Sequence, residues 1–128
     1  MKNRILVDTT IWIEFFRGRS EIGDRVETLL MENAVWTCGI VLFEVLQGIK
    51  SEGEKNNILS ILASLPYIEM TKELWQSAAK LSISVKKSGV NLPLSDIFIA
   101  AIAIENDLSI FTLDNHFKQI PNLKLYPL

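Results

Sequence analysis

Apolar positions first gather at Ile5, Leu6 and Val7, an unbroken run that stops at Asp8, and this pattern predicts a short buried strand over residues 4–8. Thr9 and Thr10 follow as candidate helix caps. Ile11, Trp12, Phe15 and Phe16 then recur at helical spacing, and Gly18 ends the helix they predict. A second helix opens at Ser20 and carries Ile22, Val26, Leu29 and Leu30 on one face. Val35–Thr37 reads as a second strand. Val41, Leu42, Val45 and Leu46 return to helical spacing, stop at Gly48 and enclose Glu44. Ile58, Leu59, Ile61, Leu62 and Leu65 predict a further amphipathic helix stopped by Pro66, with a third strand over residues 67–70. Leu74, Trp75, Ala78, Leu81 and Val85 mark a long helix ending between Lys87 and Gly89. Leu92, Pro93 and Leu94 read as a loop, and Ser95 as the cap of an almost wholly apolar helix beyond it. Residues 109–112 predict a fourth strand and residues 124–126 a fifth.

Strands that alternate with helices in this way predict an α/β fold: one domain over residues 1–128, in three α/β/α layers, with a mainly parallel central sheet of four to five strands. Ligands of such sheets bind beyond the carboxyl ends of the strands. Asp8 closes the first strand and Asp114 lies just past the fourth, so both acids belong on one rim.

Composition narrows the chemistry. A chain of 128 residues suits a single domain, and 48% hydrophobic residues supply a core without a staple. One cysteine, Cys38, excludes an internal disulfide, and one histidine, His116, excludes a Cys/His metal site, so any metal is expected to sit on oxygen, as magnesium and manganese do. Ile5–Val7 is too short for a signal-peptide core, and no stretch approaches the roughly 20 apolar residues of a membrane span, so a soluble, cytoplasmic protein is expected. A net charge of −2 is a poor footprint for a DNA-binding protein. It suits an acid-lined pocket whose local field a divalent cation reverses.

Four acids stand where acids are costly. Asp8 ends an apolar strand, Glu44 interrupts IVLFEVLQG, Asp96 opens LSDIFIAAIAI and Asp114 follows IFTL. A carboxylate beside a packed core is unfavourable unless it is paired, protonated or metal-bound. Lys2 and Arg4 lie at the wrong end of the first strand to pair with Asp8, and no other cation lies near these acids in sequence. The economical solution is a shared cation. A divalent ion on carboxylates polarises a phosphoryl oxygen and lowers the pKa of a bound water, which suits phosphodiester hydrolysis without a covalent nucleophile.

VDTTIWIEFFRG (7–18), IVLFEVLQGI (40–49), LPLSDIFIAAIA (92–103) and IFTLDNHF (110–117) together resemble the PIN domain, and within it the VapC-type toxins of toxin–antitoxin pairs. The four segments fall in the family's order and span nearly the whole chain; residues 66–91 match nothing specific. The resemblance implies an endoribonuclease dependent on magnesium or manganese, with Asp8, Glu44, Asp96 and Asp114 as catalytic metal ligands. It sets Thr112 as the hydroxyl that orients the first acid and Thr10 as a small polar residue near the metal. It also implies an RNA substrate, a cognate antitoxin over the active-site groove, a homodimer, and contact with DNA only through the antitoxin. A housekeeping RNA-processing nuclease of the same fold and a non-catalytic interaction module are the rival readings; the complete set of acids argues against the second.

Other conspicuous residues carry plainer readings. His116 stands where many relatives have an acid or another polar residue, and reads as a loop histidine packed near Phe117. Cys38 reads as buried. Trp12, Trp36 and Trp75 read as core or dimer packing, with the aromatic first helix a contributor to a dimer surface. Arg17, Arg19, Lys50 and Lys55 read as solvated charge.

Overall fold

The computed structural model describes residues 3–128, so the placement of Lys2 lies outside the described residues. The sheet is assembled from short segments: β1 (Ile5–Val7), β2 (Val35–Cys38), β3 (Tyr67–Ile68), β4 (Ser109–Phe111) and β5 (Lys124–Leu125). All adjacent pairs are parallel, in the order β3-β2-β1-β4-β5. Register is fixed by Ile5 opposite both Val35 and Ser109, and by Leu6 opposite Trp36 and Ile110. β1 is buried along its whole length, as its uninterrupted Ile-Leu-Val requires of a central strand.

Parallel neighbours need crossovers, and helices supply them. α1 (Thr9–Arg17) and α2 (Glu21–Met31) join β1 to β2; α3 (Gly39–Gln47) and α4 (Glu52–Ala63) join β2 to β3; α5 (Lys72–Lys87) and α6 (Leu94–Glu105) carry the chain back to β4. The chain moves outward from β1 to β3, then returns past β1 to β4. Right-handed crossovers therefore put the first two helix pairs on one face and the third on the other. A 3₁₀ turn, η1 (Asn115–Gln119), joins β4 to β5. The reversal of direction falls between β1 and β4, which is where a ligand crevice opens in such a sheet.

The first helix supplies part of the core. Trp12 is fully buried, stacked on Phe16 at 5.8 Å and edge-on to Phe15 at 5.8 Å, and α2 packs across α1. Trp12 lies in the protein's own core, and Phe15 and Phe16 pack half-buried against it. Trp36 lies under the guanidinium of Arg4, 4.6 Å from the ring centroid. Trp75 is 50% exposed and meets Phe98 edge-on at 4.9 Å.

Two expected caps are also displaced. α1 begins at Thr9 with Asp8 in the cap position, and α6 begins at Leu94 after Pro93, so Ser95 lies inside the helix. Proline fixes the φ angle that a helix entrance needs, and no side-chain cap is required there. Ser20 does cap α2, accepting from Gly23 N–H at 2.9 Å. Gly39 opens α3 under the Tyr67 hydroxyl, which a Cβ there would meet at 2.7 Å, so a larger residue would displace the exposed end of the Tyr67 side chain. No described helix is long and apolar enough to cross a membrane.

Candidate metal centre

The site grows from the carboxyl end of β1. Asp8 N–H donates to Phe111 O at 2.9 Å, carrying the β1–β4 pairing one residue further, and the chain then turns into α1. The Asp8 side chain makes no cap bond. It accepts instead from the hydroxyls of Thr10 and Thr112, at 2.9 and 2.7 Å, both on Oδ2. At 4% exposure this carboxylate needs such partners. The hydroxyls are anchored in turn: Thr112 Oγ1 accepts from Asp114 N–H at 2.9 Å and Thr10 Oγ1 from Leu113 N–H at 3.1 Å. The main chain leaving β4 is thereby tied to the acid that closes β1.

Glu44 is half-buried on α3, and its Oε1 accepts from Thr9 Oγ1 at 2.9 Å, which hangs it beside Asp8. Thr9 and Thr10 are thus engaged with two acids, which explains why neither serves as a cap. Asp96 sits in the first turn of α6, 8% exposed, and α6 packs against α3. Asp114 caps η1, its Oδ1 accepting from His116 N–H at 2.9 Å.

That capping turn swings the His116 ring back over the acids. Its Nδ1 lies 3.2 Å from Asp96 Oδ2 and 3.1 Å from Asp114 Oδ1. One potential ligand atom from each of Asp96, Asp114 and His116 falls within 4.8 Å of the other two. Asp8 and Glu44 stand outside this tightest group, the first joined to Asp114 through Thr112 and the second to Asp8's neighbour Thr9. His116, read from sequence as a plain loop histidine, sits against the acidic cluster, and the potential ligand atoms gathered there include a nitrogen as well as oxygens. The available signal was Asp-x-His immediately after an apolar strand, where an aspartate-capped turn brings i+2 back toward i.

The electrostatics fit a cation. Among the described residues no lysine or arginine pairs with the four acids; Arg17 pairs with Glu14, Lys55 with Glu52 and Lys124 with Asp107. Burial pushes the Asp96 carboxyl above its ordinary value, opposed by the His116 hydrogen bond and reinforced by the charges of Asp114 and Asp8. The ordering matters, because desolvation outweighs repulsion between the acids. Carboxylates and an imidazole clustered at a strand-end rim make a donor set suited to a divalent ion.

The Asp96 shift has a stability consequence. A carboxyl whose pKa is higher in the folded than in the unfolded chain favours folding while it is protonated. That contribution is fully present below the unfolded value of about 4 and is lost as pH rises through the folded value. In metal-free protein Asp96→Asn is therefore expected to raise the melting temperature at pH 7 and to flatten its decline above pH 4. Melts in EDTA across pH 4–8 check this; a lower melting temperature for the variant at pH 7 contradicts it.

Comparisons with known proteins identify the family and match the fold. The family model described as the PIN domain matches residues 5–123. Ribonuclease VapC11 of Mycobacterium tuberculosis is 27% identical over 124 residues, which span 93% of this chain and 92% of that protein. Ribonuclease VapC1 of Methanocaldococcus jannaschii is 27% identical over 131 residues, spanning 98% of this chain and 88% of that one. Among solved structures, a chain of VapBC2 from Rickettsia felis bound to a promoter DNA fragment superposes with a TM-score of 0.81 at 24% identity, over 95% of this chain and 96% of that one.

Proposed function

Because the chain belongs to the PIN domain family, we propose that it is a metal-dependent endoribonuclease, the toxin of a VapBC-type toxin–antitoxin pair, with Asp8, Glu44, Asp96 and Asp114 as its metal-holding residues. The observation that carries this reading is the gathering of buried or half-buried acids from β1, α3, α6 and the end of β4 at one rim, with no lysine or arginine paired to them among the described residues. The relatives named as ribonucleases support RNA as the substrate.

Magnesium or manganese bound there would neutralise charge on the scissile phosphate and make a water more acidic. The protein's own contribution is position. Thr10 and Thr112 hold Asp8 by one oxygen, so the carboxylate cannot rotate freely. Thr9 holds Glu44 in the same way. Asp96 lies at the positive end of α6, which favours its ionised form against the cost of burial. Cys38 is fully buried and burial pushes its thiol up, which makes it a poor nucleophile; hydrolysis by a metal-bound water would need none.

A cleft of about 450 Å³ between α1, α3 and α4, lined by Ile13, Phe16, Val45, Ile49 and Ile58, supports an antitoxin surface, as do the VapBC complexes among the structural relatives. A basic antitoxin residue would complement the carboxylates, and DNA binding would belong to the antitoxin. Exposed Trp75 and Leu94 offer a separate apolar surface for a homodimer. A cellular RNA target would place its action in the cytoplasm. The test is incubation of total cellular RNA with purified, antitoxin-free protein in Mg²⁺, in Mn²⁺ and in EDTA. Discrete fragments with either metal and none in EDTA are expected; fragments that persist in EDTA contradict the proposal.

A further inference from the structure

The geometry points to His116 as a nitrogen ligand of this centre, one that biases it toward manganese or another transition divalent ion over magnesium; this rests on the metal-dependent reading of the site. The ring is not free to wander. Its own backbone N–H is held by Asp114 Oδ1 at 2.9 Å, and Nδ1 then lies between carboxylates of two different elements, Asp114 before η1 and Asp96 on α6. At 3.1 and 3.2 Å from these oxygens, Nδ1 shares their donor cluster. The side chain is 49% exposed, so the imidazole closes the cluster from its solvent side and an ion can enter without repacking the core.

A nitrogen donor changes what the site selects. Magnesium demands a nearly ideal octahedron of hard oxygen ligands and keeps its waters. Imidazole suits iron, nickel and zinc best; manganese stands at the low end of that series and is at home on carboxylates, yet as a transition ion it takes a nitrogen ligand more readily than magnesium does. An all-oxygen rim would discriminate less. The competing role for His116 is that of a plain hydrogen-bond donor that orients Asp96 and Asp114, which would support every divalent ion alike.

Pulsed electron paramagnetic resonance of Mn²⁺ bound to the full chain separates the two, because a directly bound imidazole nitrogen modulates the manganese echo. Calorimetric titration with Mn²⁺ alone and with Mg²⁺ alone gives the affinities. Wild-type protein is expected to show nitrogen modulation. His116→Gln is expected to lose it and to lose about tenfold in Mn²⁺ affinity, with Mg²⁺ affinity nearly unchanged. His116→Asp, which restores an oxygen donor, is expected to bind Mg²⁺ at least as well as wild type. Absent nitrogen modulation in Mn²⁺-loaded wild type, or an equal loss for both metals in His116→Gln, overturns the inference while the carboxylate centre stands. Failure of wild-type protein to bind either metal overturns both.

Discussion

Asp8→Asn is expected to slow RNA cleavage at least about 1,000-fold, a loss of ~4 kcal/mol of transition-state stabilisation, without unfolding the protein. The substitution keeps the shape of the side chain. Its amide oxygen can accept the hydroxyl bonds of Thr10 and Thr112 that now fall on Oδ2, so the link from β1 to the end of β4 survives. The other branch becomes an amide NH₂, a donor where a cation needs an acceptor. Removing the Asp8 charge also relieves a repulsion felt by Asp96, so the metal-free variant is expected to melt no lower than wild type. Cleavage rates and melts on the same preparation check both halves.

The second large effect is expected at Thr112, which ties two of the acids together. Its hydroxyl donates to Asp8 Oδ2 at 2.7 Å and accepts from Asp114 N–H at 2.9 Å, in a buried position. Thr112→Val preserves shape and removes both bonds, leaving the Asp114 amide unpaired at the rim. Loss of a group that orients metal ligands typically costs about 10–100-fold in metal affinity, and an orphaned buried polar group costs about 1–3 kcal/mol of stability. Thr112→Ser keeps the hydroxyl and is expected to recover most of the affinity. Metal titration of the pair decides the matter: equal affinities for Val and Ser show that the hydroxyl does not position the site.

Much of the fold is legible in the sequence because its signals are local. Ile5-Leu6-Val7 announces a strand buried on both sides, and Gly18, Gly48 and Pro66 punctuate the chain where helices do end. Strand lengths are less legible: the third strand is only Tyr67–Ile68 and the fifth Lys124–Leu125, because pairing length depends on partners far along the chain. Helix starts fail at Thr9 and Ser95 for a related reason. A hydroxyl before an apolar run looks like a cap, but Thr9 and Thr10 are drawn to Glu44 and Asp8, and Pro93 already sets the entrance of α6. The aromatic face of α1 fits either core or dimer packing in sequence; the packing of α2 across α1 leaves Trp12 buried and Phe15 and Phe16 half-buried.

The site shows the same division. Each acid interrupts or borders an apolar run, a local signal; in the structure Asp96 and Asp114 meet at His116, Asp8 is tied to the Asp114 amide through Thr112, and Glu44 is held by Thr9. The contact of His116 with Asp96, twenty residues earlier in the chain, depends on a five-residue turn that Asp114 caps, and no periodicity reports it. The threonine hydroxyls belong to the same class of information, with Thr112 reaching Asp8 across 104 positions.

The most direct test of a metal-dependent ribonuclease here is cleavage of a single defined RNA by antitoxin-free wild type and Asp8→Asn, side by side, over a Mn²⁺ titration with fragment ends mapped. Cleavage at fixed positions that rises with metal, disappears in EDTA and is absent from the variant is the expected result. Equal cleavage by the two proteins, or none by wild type at saturating metal, contradicts it.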